Sequence, residues 1–130
     1  MKLDGLGKIL NEATSQLKVR FLMRQVVFNP QPSSEEMIPR LKAGLQELSR
    51  SLPLVRLVLF GSYATGSYTV GSDVDLLVVH EGKPRRDAYR LVKQVMGIPR
   101  LEPHVYTEQE AEVAKDKLEL MLQRSVPIYP

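Results

Sequence analysis

The most restrictive feature of the chain is a pair of carboxylates entering an apolar run. Residues 57–79 read LVLFGSYATGSYTVGSDVDLLVV, and Asp75 is followed directly by Leu76, Leu77, Val78 and Val79. A run of that length and composition predicts a buried strand. Side chains alternate faces along a strand, so Asp73 and Asp75 project to the same side at its mouth. Two like charges held side by side repel unless a cation sits between them. Carboxylate oxygens suit a hard divalent ion, magnesium or manganese.

The residues before the pair fit that reading. Leu54–Phe60 predicts a second buried strand, and 61–66 (GSYATG) predicts a tight turn opening a short helix. Such a turn lets backbone amides and a hydroxyl approach phosphate oxygens. Alone, a Gly-Ser turn is an ordinary connection, and Asp73 alone an ordinary polar turn residue. Asp73 and Asp75 at this distance downstream favour the functional reading. A P-loop is excluded, since no Gly-Lys-Ser/Thr follows the glycines. A calcium loop is excluded by Leu76 and Leu77, where further oxygen ligands are needed.

Gly61, Ser62, Ala64, Gly66, Ser72, Asp73, Asp75 and Leu76, in this order and spacing, resemble the signature of the DNA polymerase beta-like nucleotidyltransferase superfamily, most closely its minimal nucleotidyltransferases (MNT, antitoxin type). Thr65 departs from the pattern, which often has an arginine there. The resemblance spans about residues 39–124. It implies an α+β fold, a small mixed β-sheet with helices packed against it, as in the polymerase beta-like palm core. The implied chemistry is metal-dependent transfer of a nucleoside monophosphate from a nucleoside triphosphate, ATP being the expected donor, to a hydroxyl acceptor. Asp73 and Asp75 would hold two Mg2+ or Mn2+ ions, and Gly61, Ser62 and Ser72 would bind the nucleotide. The family takes a third carboxylate from the strand beside the pair. Glu102 is the acid there, while alignment on the following Val-Tyr-Thr would put His104 in its place. Minimal nucleotidyltransferases of this look are often antitoxins paired with HEPN-domain proteins, and some add AMP to the partner's tyrosine. An antibiotic or other small hydroxyl compound is another acceptor class. The alternative from a different class is a non-catalytic antitoxin that keeps the cleft and neutralises its partner by steric complex formation.

The rest of the chain predicts one domain of 130 residues, with a helical extension and linker over 1–34, a core over 35–124 and a tail over 125–130. Leu6, Leu10, Ala13, Leu17 and Phe21 recur at helical spacing, suiting a helix packed on the core or on a second copy in a homodimer. Ser33 and Glu36 have capping-box spacing, but Pro39 places the regular helix over 39–50. Pro84 suggests a helix start, running to Met96. Arg86, Arg90 and Lys93 form a stripe on it, ordinarily a solvated face, with Tyr89 beside them. Residues 100–106 predict a third strand, and Pro103 puts it at an edge. Thr107 and Glu110 open a last helix over 107–124; Pro127 and Pro130 predict an irregular tail.

The absence of cysteine excludes disulfides and cysteine-containing zinc sites. Asp4 and Lys8 interrupt the apolar residues near the N-terminus, so neither a signal peptide nor a membrane span is expected, and the location expected is cytoplasmic. The formal charge of +3 allows attraction to nucleotides; nucleic-acid binding ranks last among the readings.

Overall fold

The two apolar runs pair with each other. In the computed structural model, which describes residues 32–130, strand β1 (Leu54–Phe60) lies antiparallel to β2 (Val74–His80), with Phe60 opposite Asp75 and Leu57 opposite Val78. Helix α1 (Ser34–Leu48) precedes them and the short α2 (Ser62–Thr65) lies between. From β2 the chain crosses through α3 (Ala88–Met96) to β3 (Leu101–Thr107), which joins β2 in parallel. A helical crossover is what a parallel neighbour requires. Helices α4 (Glu108–Val113) and α5 (Lys115–Met121) follow, and β4 (Val126–Tyr129) returns antiparallel to β1. The sheet order is β3-β2-β1-β4. This is the expected α+β architecture, a mixed sheet with helices against it.

Both faces of the central strands are covered, which is why their sequences are continuously apolar rather than alternating. Leu57, Leu59, Leu76 and Val78 pack with Met37, Leu41 and Leu48 of α1 and Val92 of α3. On the other face Val58, Phe60, Leu77 and Val79 pack with Leu118 of α5. Burying side chains of this size stabilises by roughly 1.5–3 kcal/mol each relative to exposure. Asp75 enters at the end of the strand where this cover stops.

Four boundaries differ from the sequence expectation. Helix α1 starts at Ser34, not Pro39, because the Ser33–Glu36 capping box is formed, each side chain meeting the other's backbone amide at 3.3 and 3.1 Å. Pro39 and Glu35 are both exposed, so the carbonyl deprived of its donor faces water. Helix α3 starts at Ala88, not Pro84. Arg85 ties the preceding turn, donating to the Asp87 carboxylate at 3.0 and 2.8 Å and to the Ser51 carbonyl at 2.8 Å. The hydrogen bonding from Arg85 to its side chain holds the Asp87 carboxyl below the ordinary carboxylate range. The last helix is broken at Ala114 (φ −92°, ψ 17°) into α4 and α5. The tail is not irregular: Val126–Tyr129 is a strand, and Pro127 is accommodated because β4 lies at an edge of the sheet formed by the described residues. The predicted N-terminal helix falls outside the described residues.

The Thr107–Glu110 capping box is present, with Thr107 itself buried and Oγ1 accepting from the Glu110 amide at 3.1 Å. Thr107→Ala is expected to lower stability by about 0.5–2 kcal/mol, read as a shifted urea midpoint at unchanged slope, with Thr107→Ser recovering most of it. Among the described residues no helix is long and apolar enough to cross a membrane.

Candidate functional site

The turn after β1 depends on Gly61. Its φ of 77° and ψ of −156° are a backbone state that side chains exclude. From there the chain enters α2: the Ala64 and Thr65 amides donate to the Gly61 carbonyl at 3.0 and 3.3 Å. Gly66, left-handed at φ 81°, closes the helix by donating to the Ser62 carbonyl. The Ser62 hydroxyl has no hydrogen-bond partner among the described residues. Tyr63 is buried and stacks on Tyr68 with ring centroids 4.2 Å apart. The Tyr68 hydroxyl accepts from the Ser34 amide at 3.3 Å, tying the outgoing loop to the start of α1.

The second turn holds the aspartates. The Ser72 hydroxyl accepts from the Thr69 amide at 2.8 Å, so this sequence-selected residue shapes the turn. Asp73 precedes β2 with its side chain 59% exposed, and its Oδ1 lies 3.3 Å from Nη2 of Arg100. Asp75, the second residue of β2, is 29% exposed, with Oδ1 at 3.2 Å from Nε2 of His104. The His104 ring leans on Phe60, centroids 5.0 Å apart.

Asp75 is also pressed against the glycine turn. A Cβ built on Gly61 would lie 3.2 Å from Cγ of Asp75 and nearer still to Oδ2. The turn and the carboxylate, 14 positions apart in sequence, therefore touch. Only a residue without a side chain permits that approach.

Glu102 stands directly opposite Asp75 in the parallel register, and His104 opposite Leu77. Glu102 Oε1 accepts from the Tyr89 hydroxyl at 3.2 Å, which links α3 to the site. Nζ of Lys93 lies 5.5 Å from the Tyr89 ring centroid. The structure thus brings Gly61, Asp75 and His104 into contact, sets Glu102 beside Asp75 along the sheet, and couples Asp73 to Arg100. Among the described residues no three of histidine, aspartate and glutamate converge as one ligand set. The chemistry of the donors still fits a hard divalent ion on the aspartates, since each has one oxygen not engaged by Arg100 or His104. Tyr89 was visible in sequence only as a neighbour of the basic stripe. Arg100 carried no motif at all. A groove of about 660 Å3 lies away from this site, floored by Val55, Val79, Leu118 and Leu122.

Residues 38–128 match the family described as nucleotidyltransferase domain. No curated protein matches the chain. Among solved structures, the chain is similar to a candidate nucleotidyltransferase from Sulfolobus solfataricus, with 23% identity and a TM-score of 0.52 over 72% of this chain and 80% of that one. It is also similar to a toxin-antitoxin structure with AMP-PNP, at 18% identity and TM-score 0.49 over 68% and 72% of the two chains. A third likeness is to a tri-AMPylated Shewanella oneidensis HEPN toxin in complex with MNT antitoxin, at 14% identity and TM-score 0.48 over 74% and 71%. At these identities the likeness is one of fold.

Proposed function

Because the chain belongs to the nucleotidyltransferase-domain family, we propose that it transfers a nucleoside monophosphate from a nucleoside triphosphate, with ATP the expected donor, to a hydroxyl acceptor. The observation that carries this reading is the contact between Asp75 and Gly61. A carboxylate able to hold a cation lies against a turn able to receive phosphate, as the reaction requires. Asp73 and Asp75 are the residues that would hold Mg2+ or Mn2+, which when bound neutralise charge on the triphosphate and activate the acceptor oxygen. Gly61 and Ser62 hold the outer phosphates through the Ser62 and Tyr63 amides at the start of α2 and the free hydroxyl, which fixes the chain for in-line attack. The acceptor oxygen bonds to the α-phosphorus as the α–β anhydride bond breaks and pyrophosphate leaves. Glu102 completes the acceptor side and takes the hydroxyl proton. Ser72 acts through the turn it builds.

The acceptor we favour is a tyrosine of a helical HEPN-type protein, as the motif resemblance suggests; a small hydroxyl compound is the next class. The test is incubation with α-labelled ATP, magnesium and such acceptors. Label should reach an acceptor with release of pyrophosphate; absence of both from every mixture sinks the reading. Tyr89→Phe is expected to lower kcat about tenfold at an unchanged melting temperature, by freeing Glu102. Unaltered kcat would show that the Tyr89 hydroxyl does not position Glu102 for the reaction.

One observation favours a second reading. Both aspartates are engaged by the protein's own side chains, Arg100 and His104, as in a cleft retained for binding alone. Under that reading an Asp73→Asn/Asp75→Asn double variant neutralises a toxin partner fully and without nucleotide. Under catalysis it does not.

A further inference from the structure

The triphosphate of the proposed substrate is strongly anionic, yet the turn that would receive it, 61–66, contains no cationic residue. Among the described residues, the guanidinium in contact with the aspartates is that of Arg100, at Asp73, while Asp75 meets the His104 imidazole. Arg100 is unusual in a second way. It is the one described residue other than glycine with a left-handed backbone, at φ 61°, a state that disfavours any residue bearing a Cβ. Glycine would serve the backbone better, so what arginine adds at this position is its guanidinium.

That guanidinium is anchored by the main chain rather than by Asp73 alone. Nε donates to the Ser72 carbonyl at 3.2 Å, and Nη2 donates to the Gly71 carbonyl. The Arg100 carbonyl in turn accepts from the Val74 amide at 2.9 Å, locking its backbone to the start of β2. The side chain is still 48% exposed, and a guanidinium carries five donors. When a divalent ion takes the Asp73 carboxylate, the two carbonyl bonds keep this charge at the mouth of β2. Nη1 is engaged by no hydrogen bond among the described residues, which leaves its donors available to an anion accompanying the ion.

We propose that Arg100 is a phosphate-binding residue of the nucleotide site, supplying the cationic fork that the glycine-serine turn lacks. The inference rests on the nucleotidyl-transfer reading and adds to it a determinant of triphosphate affinity. The planar fork matches phosphate oxygens in pairs. Its contribution falls on the phosphates and not on the base or ribose.

The test is calorimetric binding of ATP with Mg2+, and of adenosine, to the wild-type chain and to Arg100→Gly and Arg100→Lys. Arg100→Gly is the informative truncation because glycine accepts the φ of 61°, so the backbone is relieved as the guanidinium is removed. The expected result is a loss of ATP affinity of about tenfold or more in Arg100→Gly, with adenosine affinity unchanged. Arg100→Lys should restore part of the loss, the charge without the fork. ATP affinity of Arg100→Gly within about twofold of wild type overturns the proposal. So does an equal loss for ATP and adenosine, which would make Arg100 only a clasp for the Gly71–Ser72 turn. Failure of the wild-type chain itself to bind ATP would overturn the nucleotidyl-transfer reading and this inference together, whereas the other two outcomes strike Arg100 alone.

Discussion

Asp75→Asn is expected to reduce nucleotidyl transfer by at least about a thousandfold, well beyond the 10–100-fold typical of residues that only support a metal ligand. The amide has the size of the carboxylate, so it still fits between Gly61 and His104, but it brings no charge to a cation. Stability should hardly move. The Asp75–His104 pair is about a third exposed, and partly solvated pairs of this kind contribute on the order of 0–1 kcal/mol. A steady-state assay beside a urea melt separates the two quantities. Turnover above a tenth of wild type in a folded variant would show that Asp75 holds nothing the reaction needs. The same variant should lose Mn2+ affinity, measurable by titration without any substrate.

The second large effect is at Gly61. Gly61→Ala meets two obstacles at once. The backbone state at φ 77° and ψ −156° costs about 1–3 kcal/mol for a residue with a Cβ. The new methyl also runs into the Asp75 side chain, with Cβ at 3.3 Å and Cγ at 3.2 Å. Phe60 and Asp75 are register partners, so the strands cannot part locally; the carboxylate has to rotate away. That rotation spares some stability and removes the ligand from its place. Gly61→Ala should therefore lose activity far beyond what its melting temperature implies. Gly66→Ala is the control: φ is 81° but the space is open, with nothing within 4 Å of an added Cβ. It should carry the backbone penalty without the loss of activity. Equal activities for the two alanine variants would dissolve the link between turn and carboxylate.

How much of this was legible in the sequence follows from the range of the interactions involved. Strands β1 and β2, the short α2 and the Thr107 cap were readable because each is specified by neighbouring residues: apolar runs, a glycine turn, a threonine three before a glutamate. Strand β4 was not readable, since four residues containing Pro127 acquire their conformation only by lying along β1. The start of α3 was misplaced because Pro84 is a local signal, whereas the turn that displaces it is held by Arg85 reaching Ser51, 34 positions away. At the site, the spacing of Asp73 and Asp75 was informative, whereas the closeness of Asp75 to Gly61 comes from the antiparallel pairing of β1 and β2, which the two apolar runs do not themselves specify. Arg100 was invisible. Its partners Gly71 and Ser72 lie 29 and 28 positions upstream, and no local pattern encodes a left-handed arginine.

A last consequence concerns the margins of the sheet. Among the described residues each outermost strand carries a proline, Pro103 on β3 and Pro127 on β4. Neither has an amide to offer an incoming strand, and margins interrupted in this way resist growth from molecule to molecule. Addition of a further strand at either of these two margins is thereby disfavoured.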